Sequence, residues 1–142
     1  MTSLFQAIQP PGWKRPKGYS NGILAKGRIL FVGGQIGWDA DEVFQSDVFH
    51  EQWAKTLSNV LEVVRTAGGG PEHIARMTIY VKDKKDYLGQ LPEVGQAWRE
   101  LMGRNYPTMA LVQVADLVEE RALVEIEATC VLPDEDAKRE ES

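Results

Sequence analysis

Tyr106–Val114 (YPTMALVQV) and Ala122–Val131 (ALVEIEATCV) are the two segments whose reading decides the fold. Both read as strands that close a domain, the first beginning at Pro107. In the second, Val124, Ile126 and Ala128 alternate with Glu125 and Glu127. The period of two places the apolar residues on one face of the strand and both carboxylates on the other. From spacing alone, such a pair of carboxylates reads as a solvated strand face.

Moving upstream, the hydrophobic period switches from two to 3.6 and back. Leu91, Val94, Trp98, Leu101 and Met102 fall on one helical stripe, with Pro92 tolerated only in the first turn. Ile74–Val81 (IARMTIYV) reads as a strand with Met77, Ile79 and Val81 on one face. An earlier helix carries Phe49, Trp53, Leu57, Val60, Leu61 and Val64 at the same spacing, and Gly68-Gly69-Gly70-Pro71 stops it. That glycine run is not a phosphate loop, because it follows a helix and lacks the Lys-Ser/Thr ending. Ile23–Ile36 reads as two strands joined by a tight turn at Lys26-Gly27. The second of them, Ile29-Leu30-Phe31-Val32, is almost continuously apolar, as expected of a strand covered on both faces. Helices that come between strand pairs in this order predict an α+β layer, two helices on one face of a mixed sheet. Residues 1–132 read as one domain. The acidic stretch 133–142, ending DEDAKREES, reads as a disordered tail.

Composition narrows the function classes. A chain of 142 residues suits one domain, and 43% hydrophobic with 26% charged residues is ordinary for a soluble globular protein. The net charge is −5, and no Lys/Arg run exceeds the pair Lys84-Lys85, which argues against a nucleic-acid surface. A single cysteine excludes an internal disulfide, and with two scattered histidines it excludes a recognisable zinc site. Cys130 reads as a small buried hydrophobe, and His50 and His73 as surface or capping residues. No apolar stretch approaches the roughly 18 residues of a membrane span. The N-terminal MTSLFQAIQPPGWKRP lacks the order of a signal peptide, so a cytoplasmic protein is expected.

Five elements in order resemble the RidA (reactive intermediate deaminase) family over Gly18–Leu132. They are Gly18-Tyr19-Ser20, Phe31–Ile36 (FVGGQI), Thr78–Asp83 (TIYVKD), the strand begun by Pro107, and Val124–Ala128 (VEIEA). The resemblance implies a chorismate-mutase-like fold that assembles as a homotrimer with clefts between subunits. It implies a cofactor-independent hydrolysis of enamines and imines to a keto acid and ammonia, with no metal needed. Carried over position by position, Tyr19 would lie beside the substrate and Glu125 would orient the attacking water. Gly34 belongs to the Gly-Gln-Ile element of the cleft. Where active members carry an arginine two residues after the proline, this chain has Met109. Ala110 follows in place of Ser or Thr, and Leu91 occupies the region of a supporting asparagine.

The missing arginine matters because a guanidinium grips a carboxylate through two parallel charge-assisted hydrogen bonds, and a thioether cannot. At roughly 1.5–3 kcal/mol per such bond, its loss is worth on the order of ten- to a few-hundred-fold. A less acidic, more apolar or larger ligand is therefore expected, unless Arg104, Arg121 or Lys14 reaches in. Plainer accounts stand beside these roles. Tyr19 also fits a core aromatic and Met109 simple packing, while Trp38 could wall the cleft or cover a sheet edge. Three functions remain open: an imine or enamine hydrolase with altered preference, a non-catalytic small-molecule binder or regulator, and an RNA-cleaving or protein-binding role. The acidic charge disfavours the third.

Overall fold

The structure is a computed structural model and describes residues 4–134. Its elements are β1 (Phe5–Ile8), β2 (Gly22–Ala25), β3 (Arg28–Ile36), α1 (Phe49–Thr66), β4 (Ile74–Val81), α2 (Lys84–Gly89), α3 (Leu91–Met102), β5 (Thr108–Gln113) and β6 (Val124–Leu132). A 3-10 turn, Pro71–His73, leads into β4. β3, β6, β4 and β5 form a four-stranded sheet in that order, and β1 and β2 pair separately. β4 and β5 run parallel, which requires the crossover that α2 and α3 supply; the other pairings are antiparallel. The sheet is therefore mixed, with the long helices α1 and α3 packed on one face, as the α+β reading expects.

Burial follows the sequence periods. Leu57, Val60, Leu61 and Val64 of α1 are fully buried, as are Met77, Val81, Val124 and Ile126 of the sheet. α1 ends in a two-bond cap: the N–H of Gly69 donates to the Val64 carbonyl and that of Gly68 to Arg65. Gly68 takes the left-handed φ of 89° that this cap needs. Gln52 is buried at the other end of α1 and fully engaged. Its amide donates to the carbonyls of Ser46 (2.9 Å) and Arg121 (3.0 Å) and accepts from the Leu123 N–H (2.8 Å), tying α1 to the entrance of β6. Asn59 holds the exit of β3 in the same way, donating to the carbonyls of Ile36 and Trp38. His73 is a capping residue: its Nδ1 accepts the Gly70 N–H at 3.0 Å.

Three expectations need correction. β2 and β3 do not form a hairpin; β2 pairs with β1, and β3 with β6. Gly27 is nevertheless needed at the crossing, because φ is 154° and a Cβ there would collide with the Leu132 carbonyl. β3 is not covered on both faces. Leu30 and Val32 pack on the core, while Ile29 is 61% and Phe31 76% exposed on the other side. Leu91, expected on the buried stripe, is 45% exposed at the start of α3. Two elements carried no clear signal. β1 is four residues long, and α2 is six residues started by the Asp83 side chain, which accepts from the Lys85 N–H. Of the acidic stretch, all beyond Asp134 lies outside the described residues.

Candidate functional site

A cavity of about 430 Å³ opens between the helices and the β4–β5 edge of the sheet. Its mouth is placed by Ser20, which forms a bridge with Thr108 at the start of β5. The Ser20 N–H donates to the Pro107 carbonyl (3.1 Å) and its hydroxyl to the Tyr106 carbonyl (2.6 Å). Gly18, at a φ of 77°, turns the chain into this contact. Lys17, Gly18 and Tyr19 are thereby held against the cavity, whose β5 wall is Met109 and Leu111.

The remaining walls are aromatic. Trp53 stacks on Tyr87 with ring centroids 5.7 Å apart, and Trp98 on Tyr106 at 6.4 Å, and all four rings line the cavity. Burial raises the Tyr87 hydroxyl pKa above its ordinary value, since the phenolate would lose solvation. The indole N–H groups of Trp53 and Trp98 are both buried, with no acceptor among the described residues. Arg99, one residue beyond Trp98 on α3, also lines the space, and Gly95 lies a turn before it.

The residues singled out from the sequence divide between two faces of the sheet. In the parallel register Met109 lies beside Met77, on the helix-covered side, whereas Ala110 lies beside Thr78 on the uncovered side. Glu125 lies opposite Tyr80 and Glu127 opposite Thr78, so both carboxylates share the uncovered face with Ala110. Gly34 abuts Glu125, and a Cβ there would strike the carboxylate Oε2. The Tyr80 hydroxyl donates to Glu127 Oε1 at 2.7 Å, and this bond raises the Tyr80 pKa. The Glu125 carboxylate, by contrast, has no hydrogen bond or ion pair among the described residues. Tyr19 and Met109 thus come together in one chain, and Gly34 and Glu125 come together, but the two pairs do not meet.

Trp38 joins neither group. It packs on Phe44 with ring centroids 5.7 Å apart, and the Arg121 guanidinium lies over the Phe44 ring. Arg121 is committed there to Asp47 at 3.0 Å, and Arg104 lines a separate hollow beside Glu72. Lys14, too, is absent from the lining of the Met109 cavity, whose cations are Lys17 and Arg99. Sequence reasoning missed both, along with the role of Trp53, Tyr87 and Trp98 as cavity walls. Helical periodicity marks a tryptophan as inward-facing without showing that space is left beside it. Cys130 is fully buried, and burial lifts its thiol to about 11, far from a reactive thiolate. Among the described residues no group of three or more His, Cys, Asp or Glu could hold a metal ion, and no helix is long and apolar enough to cross a membrane.

This fold is the α+β architecture of the Rid proteins. A Rid-family protein from Yersinia pestis superposes with a TM-score of 0.81 at 27% identity, covering 91% of this chain and 99% of its own. The family model described as endoribonuclease L-PSP matches residues 13–132, and the chain belongs to that family. A RutC family protein of Synechocystis is 30% identical over 132 residues, 92% of this chain and 96% of its own. The 2-iminobutanoate/2-iminopropanoate deaminase of Homo sapiens is 27% identical over 136 residues, 92% of this chain and 93% of its own. The RidA resemblance read from the sequence is thereby established.

Proposed function

We propose that the protein is a cofactor-independent hydrolytic deaminase of enamines and imines, with a substrate preference altered by Met109. The observation that carries this reading is the split site. Tyr19 and Met109 line a cavity on one face of the sheet, while Glu125, without a hydrogen bond or ion pair among the described residues, lies on the other. In this reading the protein works as a homotrimer, and each site joins the cavity of one subunit to the Glu125 and Gly34 face of its neighbour. The exposed Ile29 and Phe31 beside that face support such an assembly, since large apolar surface is seldom left in water. The human relative's name supplies the reaction class. The cytoplasm, where enzymes release such imines, is the compartment that suits it.

The chemistry asks little of the protein. An enamine tautomerises to its imine, and water adds to the electrophilic carbon as Glu125 takes a proton from it. Glu125 passes that proton to the imine nitrogen to give the carbinolamine, then carries the hydroxyl proton to the same nitrogen as the C–N bond breaks, so ammonia leaves and the carbon keeps the oxygen as a ketone. Imine plus water gives keto acid plus ammonia, with no electron acceptor needed. The site contributes by holding the substrate still, excluding bulk water and placing one water beside a carboxylate.

The test is ammonia release from 2-aminoacrylate and from larger, enzymatically generated imino acids, with Met109→Arg beside the wild type. Turnover of the larger imines, with 2-aminoacrylate at least tenfold poorer, is the expected outcome. A wild type inert on every imine, with activity appearing only in Met109→Arg, would show a binder on a deaminase scaffold instead.

A further inference from the structure

We infer that Arg99 is the carboxylate anchor of this cavity, and that the ligand it orients is an imino or keto acid with an aromatic side chain. The inference rests on the cavity assigned above and names its ligand class. It draws on two independent features of the lining.

The first is charge. In a chain of net charge −5, the cavity is lined by two cations, Lys17 and Arg99, and by no carboxylate. Among the described residues neither side chain has an ion pair or a hydrogen bond. Two unneutralised cations at one opening favour an anion, and the planar guanidinium suits a carboxylate in particular. The second is shape. Two stacked aromatic pairs, Trp53–Tyr87 and Trp98–Tyr106, flank the space, with Met109 as a polarisable filler between strand and rings. Such walls match a flat apolar side chain, and pyruvate-sized ligands would leave most of the volume unused.

Gly95 fits the same picture. Glycine inside a helix is unfavourable, yet this one lines the cavity, and a Cβ on it would lie 3.2 Å from an Arg99 Nη atom. Its bare backbone leaves the guanidinium room beside α3. The carboxylate grip has thus moved from β5 to α3 in this chain. Met109 is then part of the apolar wall that the larger ligand needs.

Equilibrium binding separates this assignment from the deaminase reading. Phenylpyruvate, pyruvate and the uncharged phenylacetone are titrated calorimetrically into the intact protein, Arg99→Gln, Arg99→Lys and, as a control, Arg104→Gln. Phenylpyruvate should bind at least tenfold more tightly than pyruvate. Arg99→Gln should weaken phenylpyruvate by about 10- to 100-fold and leave phenylacetone unchanged, with partial recovery in Arg99→Lys. Arg104→Gln should bind as wild type. Absent phenylpyruvate binding, equal affinity in Arg99→Gln, or an equal loss for the neutral ketone would overturn the assignment. If Arg99 acted only on the α3 dipole, the variant would melt lower and bind unchanged. Arg99-dependent binding without ammonia release from the matching imine would uphold the anchor and sink the deaminase reading.

Discussion

The two faces of the four-stranded sheet differ in kind. The helix-covered face holds cations and aromatic rings around a cavity, with no carboxylate among its lining. The uncovered face holds Glu125, Glu127 and Tyr80 beside the exposed Phe31. In the proposed reading one face binds an anion and the other handles a proton. Strand periodicity makes the division inevitable: Met109 and Ala110 are neighbours in sequence and must point to opposite sides. A site using both faces has to borrow one of them from another copy of the chain.

That comparison is most severely tested by subunit complementation. Glu125→Gln alone should lower ammonia release by roughly 10²–10⁴-fold, the range expected for losing a positioned general base. Arg99→Gln should act through substrate affinity instead. Neither variant alone has a complete site. If each site joins two subunits, co-refolding the variants in equal amounts should restore about a quarter of the sites, where an intact cavity meets an intact Glu125 face. No recovery would place all of the machinery within one chain and break the comparison. Phenylpyruvate affinity in Glu125→Gln should stay close to wild type.

How much of this was legible in the sequence follows the same division. The helix-covered side was read almost whole, because Leu57, Val60, Leu61 and Val64 repeat at 3.6 residues and Met77, Ile79 and Val81 at two. Nothing but the core can bury such stripes. The uncovered side was misread at β3: a continuous apolar run such as Ile29–Val32 reports that something covers it, without saying whether the cover belongs to the same chain. The need for glycine at position 27 was legible but the hairpin was not there, since β3 pairs with a strand about a hundred residues away. Within the site, Tyr19, Met109 and Glu125 were nominated by resemblance to the family. Arg99 was invisible, because an arginine beside a buried tryptophan on an amphipathic helix looks like any solvated helix face. Trp38, which the sequence leaves open between a cleft wall and a cover for the sheet edge, packs on Phe44, and its loop is held by the Asn59 amide.

A gentler probe of the helix-covered face is Gly95→Ala. The added methyl would approach the Arg99 guanidinium at 3.2 Å, and a flexible side-chain end can move aside. Replacing a helix-interior glycine should stabilise the fold by up to about 1 kcal/mol, or a melting temperature roughly 2–4 °C higher. The displaced guanidinium should weaken phenylpyruvate a few-fold. A tighter fold with unchanged affinity would mean that Arg99 does not need the room Gly95 leaves, which would blunt the contrast between the faces.

The smallest effect is expected on the uncovered face, at high pH. The hydrogen bond from Tyr80 to Glu127 raises the tyrosine pKa above its ordinary 10.0, with lesser contributions from desolvation and from the charges of Glu127 and Glu125. A raised folded-state value means that the native protein binds this proton more tightly than the unfolded chain does. The resulting stabilisation is complete below the ordinary value and is lost as pH rises through the elevated one. Because the pair is exposed, the gain is small. Wild type should melt slightly above Tyr80→Phe at pH 7–9, and the gap should close as pH climbs past 10. Glu127 would then face a phenolate in place of its hydroxyl donor. A gap that persisted unchanged to high pH would show that ring packing holds Tyr80, and that Glu127 is as free as Glu125.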